Sequence, residues 1–244
     1  MTPTDLRDEL AGTDPDLLAI TQPFALEVQR DAPLPTTTRA IVELGALIAV
    51  GAWRHLRLRL AQALHDGVPA VVIKEVTYQA VPYVGLGRAH EAVAVVNEVL
   101  LAHDVTLPLP GQATTTAADR AELGLRVQKR LVGDDAVDAM YAGAPADTAH
   151  IQRYLSAHCF GDHYTRDGIG LPDRELLTLA ILVALGGADP QVAAHVRANL
   201  RVGNDRALMI AVLTQLLPLV GYPRALNALR ALDQVAPATG TEET

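Results

Sequence analysis

The sequence predicts an all-α protein made of two copies of one helical domain, and three observations predict it. Half of the 244 residues are hydrophobic, enough for a sizeable core at this length. Only 4% are aromatic, with two Phe and one Trp, so the core must be built from Ala, Leu and Val, which suits close helix packing better than a β-sandwich. The third observation is an internal repeat. The offset that carries Gly67 onto Gly203 also carries Val76 onto Val212 and Gln79 onto Gln215, and it lays Pro82, Val84, Gly85, Arg88, Ala89 and Ala92 on Pro218, Val220, Gly221, Arg224, Ala225 and Ala228. Matched prolines and glycines weigh more than matched leucines, because each marks a specific backbone event.

The first copy runs from Thr36, with Gly67 as a helix stop, Pro69 at a helix start, and Pro82 and Gly85 at a break. The stretch LAHDVTLPLPGQATTTAAD has linker composition and places a domain boundary near residue 110, with repeats at 1–110 and 111–244. After it, ADRAELGLRVQKRLVG has helical spacing, and DTAHIQRYLSAHCF predicts a further helix leading into an exposed turn, GDHYTRDG. In the second copy, PDRELLTLAILVAL begins with Pro172 and Asp173 and stops at Gly186-Gly187, which suits a buried helix with acidic residues near its positive end. The next helix runs from about Asp189 to Arg201 and ends at Gly203. Asp205 caps a third, RALMIAVLTQLLPLV, which Pro218 kinks or ends, and a last one starts near Pro223. The second copy has the fuller helical leader and reads as the less degraded of the two.

Net charge is −8 and the Lys and Arg residues form no basic block, which excludes a nucleic-acid partner. Arg, His, Asp or Glu interrupts every apolar run, so no membrane span is expected. The acidic start, MTPTDLRDELAGTDPDLL, lacks the basic and apolar regions of a secretory signal, and the expected compartment is the cytoplasm. Cys159 is the single cysteine. It agrees with a reducing compartment and excludes a dithiol active site within one chain.

Over most of residues 117–235 the second copy resembles gamma-carboxymuconolactone decarboxylases. The residues that carry the resemblance are Gly124-Leu125-Arg126 with Val132-Gly133-Asp134, FGDHYTRDGI at 160–169, Arg174-Glu175-Leu176-Leu177, the His195 helix, and Gly221-Tyr222-Pro223-Arg224. The first copy resembles the family from about Arg39 through Val99, with Arg39 at the position of Arg174. The wider superfamily of alkylhydroperoxidase D-like proteins works through two cysteines three apart, a histidine and a glutamate. The resemblance places His195 at that histidine and Glu175 at that glutamate, with Ala188 and Gln191 at or near the cysteine positions. In the first copy Arg59 stands at the histidine position, with Ala52 and His55 near the cysteine positions. Thiol peroxidase chemistry is therefore not expected, since neither copy has its nucleophile.

His195 and Asn199 are four apart on one helix face, so imidazole and amide are expected to share a cavity, with Glu175 as the partner of the imidazole. In the first copy His55 and Arg59 are also four apart, with Gln62 beside them and Trp53 just ahead. Arg59 is suited to hold a carboxylate, and Arg39 to complement the second-copy site. Glu43 lies in an apolar helix, where a carboxylate either has a raised pKa or finds a buried partner. Tyr78, Tyr83 and Tyr222 read as packing or rim residues, Tyr83 at the rim of a substrate pocket. Asp162, His163 and Tyr164 read as a loop cluster able to close over a substrate. No metal site is expected, because His158 and His163 are five apart rather than four, and no cofactor is expected.

What the resemblance implies is a cofactor-independent lyase of decarboxylase type, acting on a small carboxylated or enolisable acid or lactone through acid/base and electrostatic catalysis. Two alternatives stand beside it: an isomerase or cyclase that tailors a biosynthetic intermediate, and a non-catalytic binding protein with a collapsed pocket. Single-copy relatives form rings, so a homo-oligomer is expected, a trimer of pseudo-hexameric shape or a dimer.

Overall fold

In the computed structural model residues 10–238 are described, and they form helices and loops without a strand. The first half of the acidic stretch at the start of the chain lies outside them. The first copy contributes α1 (Pro15–Asp31), α2 (Thr36–Val50), α3 (Trp53–His65) and α4 (Ala70–Ala102). The second contributes α5 (Arg120–Val132), α6 (Asp134–Ala142), α7 (Ala149–Tyr154) running into a π-helical segment Leu155–Tyr164, then α8 (Leu171–Leu185), α9 (Asp189–Arg201), α10 (Arg206–Val220) and α11 (Tyr222–Val235). Among the described residues no helix is long and apolar enough to cross a membrane.

The repeat seen in the sequence is the repeat of the fold: α2, α3 and α4 correspond to α8, α9 and the pair α10–α11. Helix α4 is in fact two helices, interrupted at Gly85 with φ 76° and ψ 158°. Gly221 breaks the second copy in the same conformation, φ 80° and ψ 165°. The sequence assigned this break partly to the prolines. Instead Pro82 and Pro218 stay inside their helices, and the chain turns at the following glycine, the residue that adopts this positive φ without a Cβ clash. Asp205 caps α10 as expected, its carboxylate accepting from the Leu208 amide at 2.7 Å.

The equivalent helices α2 and α8 pack directly on each other at the centre of the molecule. All of Ala40–Ala49 in α2 and Arg174–Ala184 in α8 are buried. Ile41, Leu44, Leu47, Ile48, Leu176 and Leu177 are each no more than 2% exposed, and each contributes roughly 1.5–3 kcal/mol of burial free energy before entropy is counted. Their apolar cluster is continuous across both copies.

The two leaders differ. In the first copy α1 lies on α10, where Gln215 donates to the Ala32 carbonyl at 2.6 Å. In the second, α5 packs on the π-helical segment so closely that a Cβ on Gly161 would stand 2.1 Å from the Arg120 carbonyl oxygen. The expected exposed turn at GDHYTRDG is thereby corrected. Its first half is π-helix with Phe160, Gly161, His163 and Tyr164 buried, and the bend is confined to residues that follow. The π winding places residues five apart on one face, which also brings the His158 and His163 rings to 4.9 Å.

Candidate active site between α8 and α9

Glu175 sits near the start of α8, fully buried, and accepts from His195 on α9, Nδ1 to Oε2, at 2.7 Å. This bond orients the imidazole and leaves Nε2 as the nitrogen free to exchange a proton. Glu175 Oε1 is buried without a hydrogen-bond partner among the described residues, an open acceptor beside the imidazole. Asn199 is placed differently from the expectation that it would share a cavity with His195. Its amide donates to the Glu175 carbonyl at 3.1 Å and the His195 carbonyl at 2.8 Å, and its oxygen accepts from Asn204 at 2.8 Å. It fastens α9 to α8 and fixes the relative position of the acid and the base.

His195 and Glu175 face a cleft of ≈ 370 Å³. Its walls are Leu131, Val132, Ala136, Phe160, Ala194 and Ala198, and its cations are Arg197 and Arg201. Arg201 donates one Nη to the Leu131 carbonyl at 3.0 Å. Arg197 is exposed and enters no ion pair among the described residues. The cleft thus combines an apolar body, a proton-transfer pair and a cation, the composition of a site for a small apolar anion.

Behind the imidazole the first copy takes part. Tyr83 of α4 meets the His195 ring edge-on, centroids 6.1 Å apart. Its hydroxyl bonds to Tyr164 at 3.0 Å, which bonds to Thr178 at 2.8 Å. Burial raises both phenols well above the usual tyrosine range, so both stay protonated. From Thr178 the chain continues through Gln79 at 3.4 Å to the fully buried Arg174 at 2.9 Å. Arg174 pairs with Glu75 at 3.0 Å, and Arg166 grips the same carboxylate with contacts of 2.8–3.1 Å. Tyr83 was singled out from the sequence, but Glu75, Gln79, Tyr164, Thr178 and the cleft arginines Arg197 and Arg201 were not assigned these places. The match of Gln79 with Gln215 was the signal for one of them.

The first-copy equivalent is closed. Arg59, half-buried, is ion-paired to Glu43, so Glu43 has a charged partner and Arg59 presents no free fork to a substrate. Arg39 reaches Asp66 at 3.5 Å and Gln62 donates to Asp66 at 2.7 Å. Only ≈ 10 Å³ of space remains among these residues, room for about one water. Arg39 lies here and not beside His195, while Trp53 and His55, at the start of α3, do not line this space.

Two buried groups give checks on this geometry. Burial pushes the Cys159 thiol up to about 12, with its sulfur 3.9 Å from the Tyr83 hydroxyl. Native protein is therefore expected to react with iodoacetamide at pH 8 about 10³-fold more slowly than unfolded protein, as followed by mass spectrometry. Burial, reinforced by His158, pushes the His163 imidazole down from 6.5 to about 4. The unfolded chain then binds the proton first, so stability is complete above pH 6.5 and falls between pH 6.5 and 4 by on the order of 3 kcal/mol. Urea unfolding across this range is expected to show that loss in the wild type and to lose most of it in His163→Gln.

No curated protein matches the sequence. The carboxymuconolactone decarboxylase family matches it twice, at residues 15–98 and 149–234, which together cover more than half of the chain. The two matched stretches contain the two helical units whose central helices pack together, and the second contains Glu175 and His195. The chain belongs to the carboxymuconolactone decarboxylase family, as a tandem two-copy member.

Proposed function

We propose that the protein is a cofactor-independent lyase that removes carbon dioxide from a small, largely apolar acid or lactone acid, using the second-copy cleft alone. The observation that carries this reading is the His195–Glu175 pair at an open apolar cleft with an unpaired arginine, set against a first-copy counterpart that ion pairs have filled. A non-catalytic descendant would be expected to have a collapsed pocket around the same two residues.

In this reading the substrate's apolar body lies against Phe160, Leu131 and Val132, which exclude water from the leaving carboxylate and strengthen every electrostatic contact nearby. The bond to the departing carbon breaks, carbon dioxide leaves, and the electron pair remains as a dienolate. Arg197 stands where that oxygen's charge collects, and protonated His195 delivers a proton from Nε2 to the carbanionic carbon. Glu175 stabilises the imidazolium before transfer and keeps the ring aligned after it. Tyr83 holds the other side of the ring in place. Thiol chemistry has no part, since Ala188 and Gln191 stand at or near the cysteine positions and Cys159 stays protonated.

The test is release of carbon dioxide from a panel of unsaturated lactone acids and 3-oxo acids, with product proton incorporation followed in deuterated water. Carbon dioxide release with one deuteron at the former carboxyl carbon supports the proposal. A rearranged product without it would instead assign the same pair to an isomerase or cyclase. Assembly into a homo-oligomer belongs to the proposal as well, supported by the exposed α1 side chains Leu17, Ile20 and Leu26.

A further inference from the structure

The chain has only two lysines, Lys74 and Lys129, against eighteen arginines. Lys129 is conventional, at a surface ion pair with Asp138 at 2.6 Å. Lys74 is not. It lies on α4, only 9% exposed, at a second pocket of ≈ 500 Å³ formed by α4 and the segment that joins the two copies. Leu107, Pro108, Leu109 and Val71 give the pocket an apolar side, and Tyr78 lies within it, with Lys74 Nζ 5.3 Å and the Arg166 guanidinium 5.0 Å from its ring centre.

Charge is unbalanced here. Glu75 is the one carboxylate among the lining residues, and both of its oxygens are engaged by Arg166 and Arg174. Among the described residues Lys74 finds only the neutral Asn97 oxygen, at 2.8 Å, and the Tyr78 ring. Two guanidiniums therefore share one carboxylate while the nearly buried Lys74 has neutral partners, an arrangement that is costly unless an anion is supplied. The pocket is not a by-product of the shared fold, because the repeat places Ile210, Ala211 and Thr214 where the first copy has Lys74, Glu75 and Tyr78.

We propose that this pocket is a second binding site, distinct from the His195 cleft, for a small organic carboxylate with an apolar body, whose carboxylate sits between Lys74 and Arg166. The apolar walls take the body of the ligand. Lysine rather than arginine suits the place, because a compact ammonium forms a point contact where a guanidinium fork would fill the space. Burial also lowers the Lys74 ammonium below the usual lysine range.

Residue-specific labelling tests this with the intact protein. Trinitrobenzenesulfonate is itself an aryl anion. The lysine nitrogen attacks its sulfonate-bearing carbon, sulfite leaves, and the ammonium proton goes to solvent. Mass spectrometry reports the two lysines separately. Labelling of Lys74 is expected to slow at least about tenfold as benzoate saturates the pocket, while Lys129 is unaffected and inorganic phosphate protects neither. Failure of the reagent to reach Lys74, equal effects on both lysines, no effect of benzoate, or equal protection by phosphate would each overturn the assignment. As an independent check, Lys74→Met is expected to raise the midpoint of ligand-free thermal unfolding by about 3 °C. A lowered midpoint would show that Lys74 is already satisfied in the absence of any ligand and would also overturn it.

Discussion

Replacing Glu75 with alanine is expected to destabilise the protein by about 3–5 kcal/mol, a fall of about 10 °C in thermal midpoint at this chain length. The physical reason is that Arg174 is fully buried and, among the described residues, Glu75 is its only carboxylate. Without it a guanidinium stays in the core with Gln79 and two backbone carbonyls as acceptors, and Arg166 loses its partner too. Losing a charge partner costs far more than losing both charges, so Glu75→Leu with Arg174→Met should recover much of the deficit. Circular dichroism melts of the two variants check this. Because Glu75 belongs to the first copy and Arg174 to the second, the melt also reports on the joint between them. A single cooperative transition that moves as a whole is expected, since the core is continuous through α2 and α8.

The second large effect concerns turnover. His195→Ala should lower kcat by about 10²–10⁴-fold, the usual contribution of a positioned proton donor. Glu175→Gln keeps the shape of the partner but removes its charge, and is expected to cost about 10²-fold, mainly in kcat with KM little changed. Glu175 is on the far side of the imidazole Nδ1 and acts on the transferred proton rather than on ground-state binding. An effect confined to KM in either variant would remove these residues from the proton-transfer step.

Much of the fold was legible in the sequence because helix ends are local events. Pro172, Gly186 and Asp205 each mark a boundary through their own backbone or side-chain chemistry, and the helices lie where those residues put them. The break before α11 was less legible, since Pro218 and Gly221 both signal one and only three-dimensional geometry decides that the glycine makes it. The π-helical segment escaped a reading based on α spacing. A run that reads as an exposed polar turn becomes a buried wall once each turn takes in an extra residue, and Tyr164 then reaches the interior.

For the site, family resemblance pointed to His195 and Glu175, and the structure brings them within hydrogen-bond distance. The network behind them was not legible, because all but one of the links that lead from Tyr83 to Glu75 join residues 81 to 99 positions apart in the chain. Arg59 was read as a holder of a substrate carboxylate, and Glu43 as a carboxylate with either a raised pKa or a buried partner. Sequence could not reveal that the two, on adjacent helices, satisfy one another. That single pairing converts the first copy from a second pocket into a filled one.

The two copies have separate fates in this protein, and the rate of carbon dioxide release tests that division most directly. His195→Ala is to be measured beside the double variant Glu43→Leu, Arg59→Met, each with the wild type on the same lactone acid. The account predicts that the double variant keeps the wild-type rate within about twofold while His195→Ala loses at least about 10²-fold. Loss of activity in the folded double variant, with His195→Ala still active, would contradict it by placing the working pocket in the first copy.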